Sequence, residues 1–287
     1  MTVLVTGAAG FVGAAAARQL TRRGHHVTSC VRANPGPGEL ALDLLDAAGV
    51  TKALAGRPFE AVVHAAAVMP RRAGQSAESG EANVAMTRNL LAALRPHPPR
   101  YLLVVSSIDV YEPSADPATE STLAKPVSAY AESKLQTEQC CAAWCRETAT
   151  PLGVIRLTQV FGPGDRTHKF IPAAVRKVLA GEPVQLFGDG EDRRDYLYIN
   201  DAAALLADMA ERCYQGLING VTGRSVSLNE VLAALAAVAG RPVRVERQPR
   251  AKERIDRSFD TTLLFQSLGV RQFTPLQEAL GLTLAAP

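Results

Sequence analysis

The sequence predicts an α/β fold in which helices cover both faces of a doubly wound parallel sheet. In the first half of the 287-residue chain, short apolar runs alternate with amphipathic stretches of helical length. The apolar runs are continuous rather than alternating, which is typical of strands buried on both faces of a sheet. A strand, a helix and a second strand at this spacing form a parallel crossover, and its repetition indicates one parallel sheet.

The elements of this first half follow one another in a regular order. The predicted strands are Thr2–Thr6, His26–Val31, Ala61–His64, Tyr101–Ser106 and Gly153–Leu157, and the helices between them are Phe11–Arg23, Asp46–Ala55, Glu78–Leu94 and Ser128–Glu147. After Leu157 the turns are denser and the strands shorter, with helices near Ile171–Ala180, Asn200–Arg212 and Leu228–Ala239. This change predicts one domain at residues 1–157 and a smaller mixed α/β domain at 158–287, with part of 190–212 packing back on the first.

Composition excludes several classes of protein. Lys and Arg number 31 against 28 Asp and Glu, and a net charge of +3 is too small to indicate a nucleic-acid partner. No apolar run reaches the 18 residues that a membrane helix needs, so no membrane partner is expected. The five cysteines form neither a metal-binding pair nor a disulfide ladder. These features predict a cytoplasmic protein with no metal site.

A glycine-rich turn follows the first strand and opens the first helix. It runs from Gly7 to Gly13 with Gly10 between them, in the spacing G-x-x-G-x-x-G. Glycines let the backbone approach a pyrophosphate, and a helix N-terminus offers unpaired N–H groups and partial positive charge. At the first strand-to-helix turn this pattern predicts a Rossmann-type dinucleotide site. Its candidate cofactor-binding residues are Gly7, Gly10, Phe11, Val12 and Gly13.

The end of the second strand indicates which dinucleotide binds. An acid there would accept the ribose 2′-hydroxyl of NAD, whereas an arginine can hold the 2′-phosphate of NADP. The strand ends at Val31 without an acid and is followed by Arg32. This favours NADP(H) and leaves NAD(H) open. The other interpretation is that Arg32 is a solvated surface cation.

A tyrosine and a lysine lie four residues apart at the start of a predicted helix. Tyr130 and Lys134 therefore share one face of that helix. An ammonium group one turn away is expected to lower the pKa of the phenol and make it a usable acid and base. Ser106 and Ser107 end the preceding strand, where open α/β sheets bind their ligands.

These motifs together resemble one family. The segments Thr6–Gly13, His64–Ala67, Ser106–Tyr111, Tyr130 with Lys134, and Val160–Gly164 stand in the order seen in extended short-chain dehydrogenases/reductases. The chain is similar in particular to NAD(P)-dependent nucleotide-sugar epimerases, dehydratases and 4-ketoreductases.

The resemblance implies a role for each matching residue. Tyr130 would be the acid and base, Lys134 would hold the nicotinamide ribose and tune Tyr130, and Ser107 would bind the reacting oxygen. Further cofactor contacts implied by the resemblance are Asp43, Leu44, Ala65, Ala66 and Asn83. For Asn83, a packing amide between helices is an equally weighted interpretation.

A stretch in the second half resembles the one with which sugar-modifying members bind a nucleotide diphosphate. It runs from Gly188 to Tyr196 and contains Arg194, whose guanidinium can grip phosphate oxygens. The alternative is an ion pair of Arg194 with Asp195 or Asp201. Two further substrate candidates are Arg250 and Gln159, the latter standing where epimerases of the family usually have Asn.

The resemblance leaves several functions open. The absent second-strand acid favours a nucleotide-sugar 4-ketoreductase that exchanges NADP(H), and the alternative is a 4-epimerase with tightly bound NAD. Dehydration is disfavoured because Ile108 replaces one of two expected acids. A non-catalytic dinucleotide-binding protein is a third interpretation, which the presence of Ser107, Tyr130 and Lys134 disfavours. The family commonly dimerises, so a homodimer through Glu78–Leu94 and Ser128–Glu147 is expected.

Overall fold

The chain divides into two units that interleave along the sequence. A computed structural model describes residues 1–69, 76–250, 253–269 and 272–286. The first unit comprises Met1–Glu112, Thr122–Leu157 and Ala202–Asn219, and the second comprises Pro113–Ser121, Thr158–Asp201 and Gly220–Pro287. The chain leaves the first unit for the nine residues Pro113–Ser121 and returns to it at Thr122. It leaves again after Leu157 and returns at Ala202.

The elements are numbered in chain order. The strands are β1 (Thr2–Thr6), β2 (His26–Val31), β3 (Glu39–Ala41), β4 (Ala61–His64), β5 (Tyr101–Ser107), β6 (Pro117–Ala118), β7 (Leu152–Leu157), β8 (Gln159–Phe161), β9 (Val184–Phe187), β10 (Arg193–Tyr198), β11 (Gly216–Gly220), β12 (Ser225–Ser227), β13 (Val245–Gln248) and β14 (Ser258–Phe259). The helices are α1 (Phe11–Arg22), α2 (Ala47–Leu54), α3 (Ser76–Leu94), α4 (Ala129–Thr148), α5 (Phe170–Leu179), α6 (Ile199–Arg212), α7 (Leu228–Ala239), α8 (Thr262–Leu268) and α9 (Leu276–Ala285).

A seven-stranded sheet forms the centre of the first unit. Its strand order is β11-β7-β5-β4-β1-β2-β3, and the pairs β1–β2, β2–β3, β1–β4, β4–β5 and β5–β7 are parallel. The chain moves outward from β1 through β2 to β3 and then returns to the other side of β1 at β4. This reversal is the topological switch point, where doubly wound sheets bind ligands at the carboxyl ends of their strands. The predicted fold class is confirmed.

Both faces of this sheet are buried. Leu4, Val62 and Leu102 belong to a core cluster with apolar side chains of α2, α3 and α4. The alternate residues Val63 and Leu103 are also fully buried, so the opposite face is covered as well. Because successive side chains of a strand point to opposite faces, burial of both sets explains why the strands read as continuous apolar runs.

The helix and strand boundaries of the first half agree with the sequence pattern to within two residues. Two strands of the sheet were missed. β3 has only three residues and two of them are exposed, so Glu39–Ala41 carries no apolar run. β11, at the other edge, lies within the half of the chain predicted to be the second domain. The alternation of strands and helices along the sequence cannot show that β11, which comes late in the chain, pairs at the edge of the seven-stranded sheet.

The second unit is built on smaller sheets. β10 pairs with β8 in parallel and with β12 in antiparallel fashion, and β9 pairs with β13 in parallel. The buried carboxylate of Asp195 in β10 accepts hydrogen bonds from the backbone N–H and the hydroxyl of Thr222, at 3.0 and 2.7 Å. These bonds fix the turn before β12 to the centre of the small sheet.

The expectations for membrane helices and for cysteines can be compared with the described part of the chain. No helix there is long and apolar enough to cross a bilayer. All five cysteines are free thiols; Cys30, Cys141 and Cys145 are buried, and Cys140 and Cys213 are partly exposed. Three of them therefore pack as small apolar side chains.

Candidate active site

The glycine-rich turn connects β1 to the N-terminus of α1. Gly7 adopts a φ of +69°, in the left-handed region that favours glycine, and its carbonyl accepts the N–H of Gly10 at 2.8 Å. Gly10 caps α1 and supplies no side chain to its first turn, which begins at Phe11. The N–H groups of that turn are therefore left without a side-chain cap, as an anion site at a helix N-terminus requires.

The glycines are also required by close packing at the switch point. A Cβ on Gly7 would lie 2.7 Å from the backbone N and Cα of Ala66, which follows β4. A Cβ on Gly13 would lie 2.3 Å from the carbonyl oxygen of Gly7. The structure thus brings Gly7, Gly13 and Ala66 together with no room for larger residues. This open backbone cradle fits a dinucleotide pyrophosphate.

Residues predicted to meet the adenosine end lie at the ends of β2 and β3. Arg32 directly follows β2 and is exposed, and the described structure gives it no hydrogen-bond or ion-pair partner. Asp43 is exposed, and its carboxylate accepts the N–H of Leu45 at 3.0 Å. Leu44 is buried in the core cluster. Arg32 and Asp43 are thus open to a ligand, whereas the Leu44 side chain is occupied by packing.

Asn83 of α3 is almost fully buried and fully engaged. Its Oδ1 accepts the N–H of Val68 at 2.7 Å, and its Nδ2 donates to the Val68 carbonyl and to Ser133 Oγ, both at 3.1 Å. Ser133 in turn donates to the carbonyl of Tyr130 at 2.8 Å. Both amide hydrogens are used within the protein, which supports the packing interpretation. Asn83 holds the segment after β4 against the first turn of α4.

Tyr130 and Lys134 lie in the first two turns of α4. Ser128 caps the helix by accepting the N–H of Ala131 at 3.2 Å, and its position fixes where the helix starts. Lys134 is 4% exposed, and its Nζ donates to the carbonyl of Val105 in β5 at 2.5 Å. Tyr130 as a whole residue is partly exposed.

The pKa values of this pair differ from the prediction. Burial, followed by the Asp109 carboxylate, raises the pKa of Tyr130, so the prediction that Lys134 lowers it in this structure is wrong. Burial lowers the pKa of Lys134 to about 8, while Glu138 and Cys141 act in the opposite direction. The Lys134 ammonium donates its hydrogen bond to the Val105 carbonyl and not to the Tyr130 phenol. Tyr130 therefore carries its proton at neutral pH, the form that a proton donor needs.

Ser107 ends β5 beside α4. It is 9% exposed, and its hydroxyl accepts the N–H of Asp109 at 3.2 Å, which starts a short 3-10 helix at Ile108–Val110. α4 packs against both β5 and this short helix. The structure thus brings Ser107, Tyr130 and Lys134 to the same edge of the sheet, as predicted from their positions in the sequence.

A cavity of about 490 Å³ lies within the second unit. Three of the four predicted substrate residues, Gln159, Arg194 and Arg250, line it, and the fourth, Ser107, does not. The remaining lining residues are Lys169, Phe170, Gln185, Leu186, Phe187, Asp192, Leu228, Glu253 and Ile255. With three basic side chains against two acidic ones, and two aromatic rings, the lining suits an anion that carries a flat ring.

The two arginines of this cavity have different surroundings. Arg250 donates to Asp192 at 3.0 Å and to Asp189 at 2.5 Å, so its charge is matched by two carboxylates. The nearest acid to Arg194 is Asp192, at 4.0 Å. Asp195 and Asp201 instead bind Thr222 and Thr274, so the structure does not support the alternative of an ion pair between Arg194 and either of them. Arg194 is the more available cation for a ligand.

Glu138, Arg156 and Asp192 were not predicted as site residues from the sequence. Glu138 and Arg156 are buried charges that pair across α4 and β7. A signal for Glu138 was its position four residues after Lys134 on one helix face, where an acid supports a buried base. Asp192 lies inside the motif that was recognised, but only the fold brings it to Arg250.

Comparison with known proteins agrees with this geometry. Residues 3–221 match the model of the NAD dependent epimerase/dehydratase family. A UDP-glucose 4-epimerase of Corynebacterium glutamicum is 31% identical over 282 residues, 87% of this chain and 84% of that protein. A dTDP-4-dehydro-6-deoxy-D-allose reductase of a Streptomyces species is 29% identical over 275 residues, 86% of this chain and 84% of that protein.

A solved structure shows the same fold. The UDP-glucose 4-epimerase of Thermus thermophilus, in complex with NAD, superposes with a TM-score of 0.87 at 29% identity, over 99% of this chain and 98% of that one. The chain belongs to the NAD dependent epimerase/dehydratase family. The class expected from the motifs, an extended short-chain dehydrogenase/reductase enzyme, is confirmed.

Proposed function

We propose that the protein is an NAD(P)-dependent 4-ketoreductase of nucleotide-linked sugars. We infer the substrate class from the cavity of the second unit, which is lined by Gln159, Arg194 and Arg250. A guanidinium fork with two donors pairs with diphosphate oxygens, and Phe187, which is 54% exposed, offers a face for a nucleobase. The relatives named above act on UDP-linked and dTDP-linked sugars, which supports the same class for this chain.

The first unit supplies the residues for hydride-transfer chemistry. When bound, the reduced nicotinamide supplies a hydride to the sugar carbonyl carbon. Ser107 donates a hydrogen bond to the carbonyl oxygen, and Tyr130 transfers its phenolic proton to that oxygen, so that the ketone becomes a secondary alcohol. Lys134 holds the ribose of the bound cofactor. Its low exposure keeps water from competing for these contacts.

A reductase is favoured over an epimerase by the residue at the end of β2. Arg32 is exposed and has no partner in the described structure, as expected of a cation that binds the 2′-phosphate of NADPH. A reductase releases its oxidised cofactor after each turnover. The second candidate is a 4-epimerase that retains NAD, supported by the C. glutamicum relative and by the NAD complex of the T. thermophilus enzyme.

Two measurements separate these candidates. The purified protein is tested for bound nucleotide, and Kd values for NADPH and NADH are compared in wild type, Arg32→Ala and the surface control Arg22→Ala. We expect tighter binding of NADPH, a loss of this preference in Arg32→Ala and no change in the control. Co-purified NAD(H), or equal affinity for the two cofactors in wild type, contradicts the reductase and favours the epimerase.

The diphosphate site is tested with neighbouring arginines. Arg194 lines the cavity, whereas Arg193 bonds to the Ser225 carbonyl and to Glu230. Arg194→Ala is expected to weaken binding of UDP or TDP at least tenfold, because one charge-assisted contact contributes about 1.5–3 kcal/mol. Arg193→Ala is the matched control. Equal affinities for the two variants would exclude this cavity as the diphosphate site.

A homodimer is proposed through the helices that the sequence indicated. α3 and α4 pack on each other, and a groove of about 380 Å³ between them is lined by Gly80, Val84, Ala85 and Glu132, among others. Small residues along a helix pair allow a second pair to approach closely. Light scattering is expected to give the mass of a dimer for wild type and of a monomer for Ala85→Glu. A monomeric wild type would contradict the proposal.

A further inference from the structure

The inner face of α4 carries two charged side chains that are almost fully buried. Lys134 and Glu138 lie one helical turn apart, with exposures of 4% and 9%. Arg156 of β7, which is 5% exposed, meets Glu138 from the sheet. Isolated charges in a protein interior are strongly unfavourable, so each of these three side chains needs a polar partner.

Glu138 is the centre of the resulting network. Both of its oxygens accept from Arg156, from Nε at 3.0 Å and from Nη2 at 2.6 Å, and Oε1 also accepts from the hydroxyl of Ser106. The Arg156 guanidinium lies 4.8 Å from the centre of the Tyr111 ring. Tyr111 donates to Asn219 Oδ1 at 2.9 Å. The network therefore connects α4 with β5, β7 and β11.

Three consecutive residues of β5 join this network to the catalytic groups. The Val105 carbonyl accepts from Lys134, the Ser106 hydroxyl donates to Glu138, and Ser107 is the residue proposed to bind the reacting oxygen. α4 is thus fastened to the end of β5 at two successive turns. A displacement of Glu138 would move Ser107 relative to Tyr130.

We propose that Glu138 is a positioning residue, which keeps Lys134 protonated and holds Ser107 in register with α4 through Ser106 and Arg156. Glu138 does not itself touch the substrate. The inference rests on the proposed function, because Lys134 matters to turnover only if it holds the cofactor.

Among the groups around Lys134, Glu138 is the carboxylate that acts on its pKa. Cys141 of α4 is buried, and burial raises the pKa of its thiol, so that it is neutral near pH 7. His64 of β4 is neutral as well, because burial and then Lys134 lower its pKa to about 3. Asp109, on the short helix after β5, acts on Tyr130, and Arg156 of β7 is positive. Glu138 acts on Lys134 by raising its pKa against the effect of burial.

The test measures the pKa of Lys134 without relying on activity. The free energy of unfolding is compared between proteins with Lys134 and with Lys134→Met, from pH 6 to 10.5, because the pH at which this difference begins to change reports the folded pKa. We expect this onset near pH 8 in wild type and about one pH unit lower in Glu138→Gln. Glu138→Asp, which keeps the charge, is expected to restore most of the difference.

The double variant Glu138→Gln/Arg156→Met covers the case in which Glu138→Gln alone does not fold. It removes both charges of the Glu138–Arg156 pair, so neither member of that pair is left unpaired. We expect it to unfold near the wild-type midpoint in urea but to keep the lowered pKa of Lys134. A wild-type pKa of Lys134 in this variant would overturn the proposal and reduce Glu138 to a packing role.

A second readout separates this inference from the proposed function. The Kd of NADPH or NADH is measured over the same pH range, and binding is expected to weaken above the Lys134 pKa of each variant. If wild type bound neither dinucleotide while Glu138→Gln still shifted the pKa, the proposed function would fail and the electrostatic role of Glu138 would stand. If binding occurred but no variant shifted the pKa, only the inference about Glu138 would fail.

Discussion

Replacement of Lys134 by Met is expected to stabilise the protein while it abolishes turnover. Burial lowers the pKa of Lys134 to about 8 from an ordinary value of 10.5. At about 1.4 kcal/mol for each pH unit, the folded state loses about 3 kcal/mol at pH 7 by keeping this ammonium charged. The lost hydrogen bond to the Val105 carbonyl returns about 1 kcal/mol. The net gain expected for Lys134→Met is about 2 kcal/mol.

The gain should depend on pH in a defined direction. Because the folded pKa of Lys134 is below its unfolded value, the unfolded state binds more protons between pH 8 and 10.5. Wild type therefore recovers stability over this range, and the advantage of Lys134→Met should vanish by about pH 10. Urea unfolding followed by the fluorescence of Trp144, the single tryptophan, measures both values.

Lys177, which is exposed, provides the control for this prediction. Lys177→Met should change the free energy of unfolding by less than about 0.5 kcal/mol at every pH. A Lys134→Met variant that is less stable than wild type at pH 7, or equally stabilised at pH 7 and 10, would refute the reasoning.

Three further predictions follow from the same structure. Burial lowers the pKa of His64 to about 3, so His64 binds a proton in the unfolded state at a higher pH than in the folded state, and the free energy of unfolding falls below pH 6.5. Wild type should lose about 2 kcal/mol of this free energy between pH 7 and 5 in urea titrations. His64→Gln should not show this loss. Gly13→Ala should weaken dinucleotide binding at least tenfold in calorimetry, because its Cβ would meet the Gly7 carbonyl at 2.3 Å; unchanged affinity would exclude this turn as the binding site. Arg156→Met should destabilise the fold by about 3–5 kcal/mol, because it leaves Glu138 buried without its partner. In thermal melts, the double variant Glu138→Gln/Arg156→Met should recover most of that loss.

The fold class and the candidate catalytic residues could both be inferred from the sequence because both inferences depend on local patterns. Buried parallel strands read as apolar runs, and the glycine turn is adjacent in sequence to the strand and helix that it joins. Tyr130 and Lys134 share a helix face through their spacing alone. These signals need no knowledge of contacts between distant residues.

Contacts between distant segments could not be read in this way. The pair of Glu138 with Arg156 joins a helix to a strand, and Arg250 reaches Asp192 across 58 residues. The pKa of Tyr130 was mispredicted for the same reason, because its direction is set by burial and by Asp109 rather than by the neighbouring turn. The sequence shows which charged residues share a helix face, but it does not show which residues of other elements pack against them.

The central claim is that Tyr130 donates a proton while a nucleotide-linked keto sugar is reduced. The most direct measurement follows NADPH and NADH oxidation by wild type and Tyr130→Phe with UDP- and TDP-linked 4-keto sugars, with cofactor Kd values measured in parallel. We predict NADPH oxidation matched by formation of the sugar alcohol, and a fall in kcat of at least about a hundredfold in Tyr130→Phe with an unchanged Kd. Undiminished turnover by Tyr130→Phe, or no oxidation of either cofactor by wild type, would contradict the account.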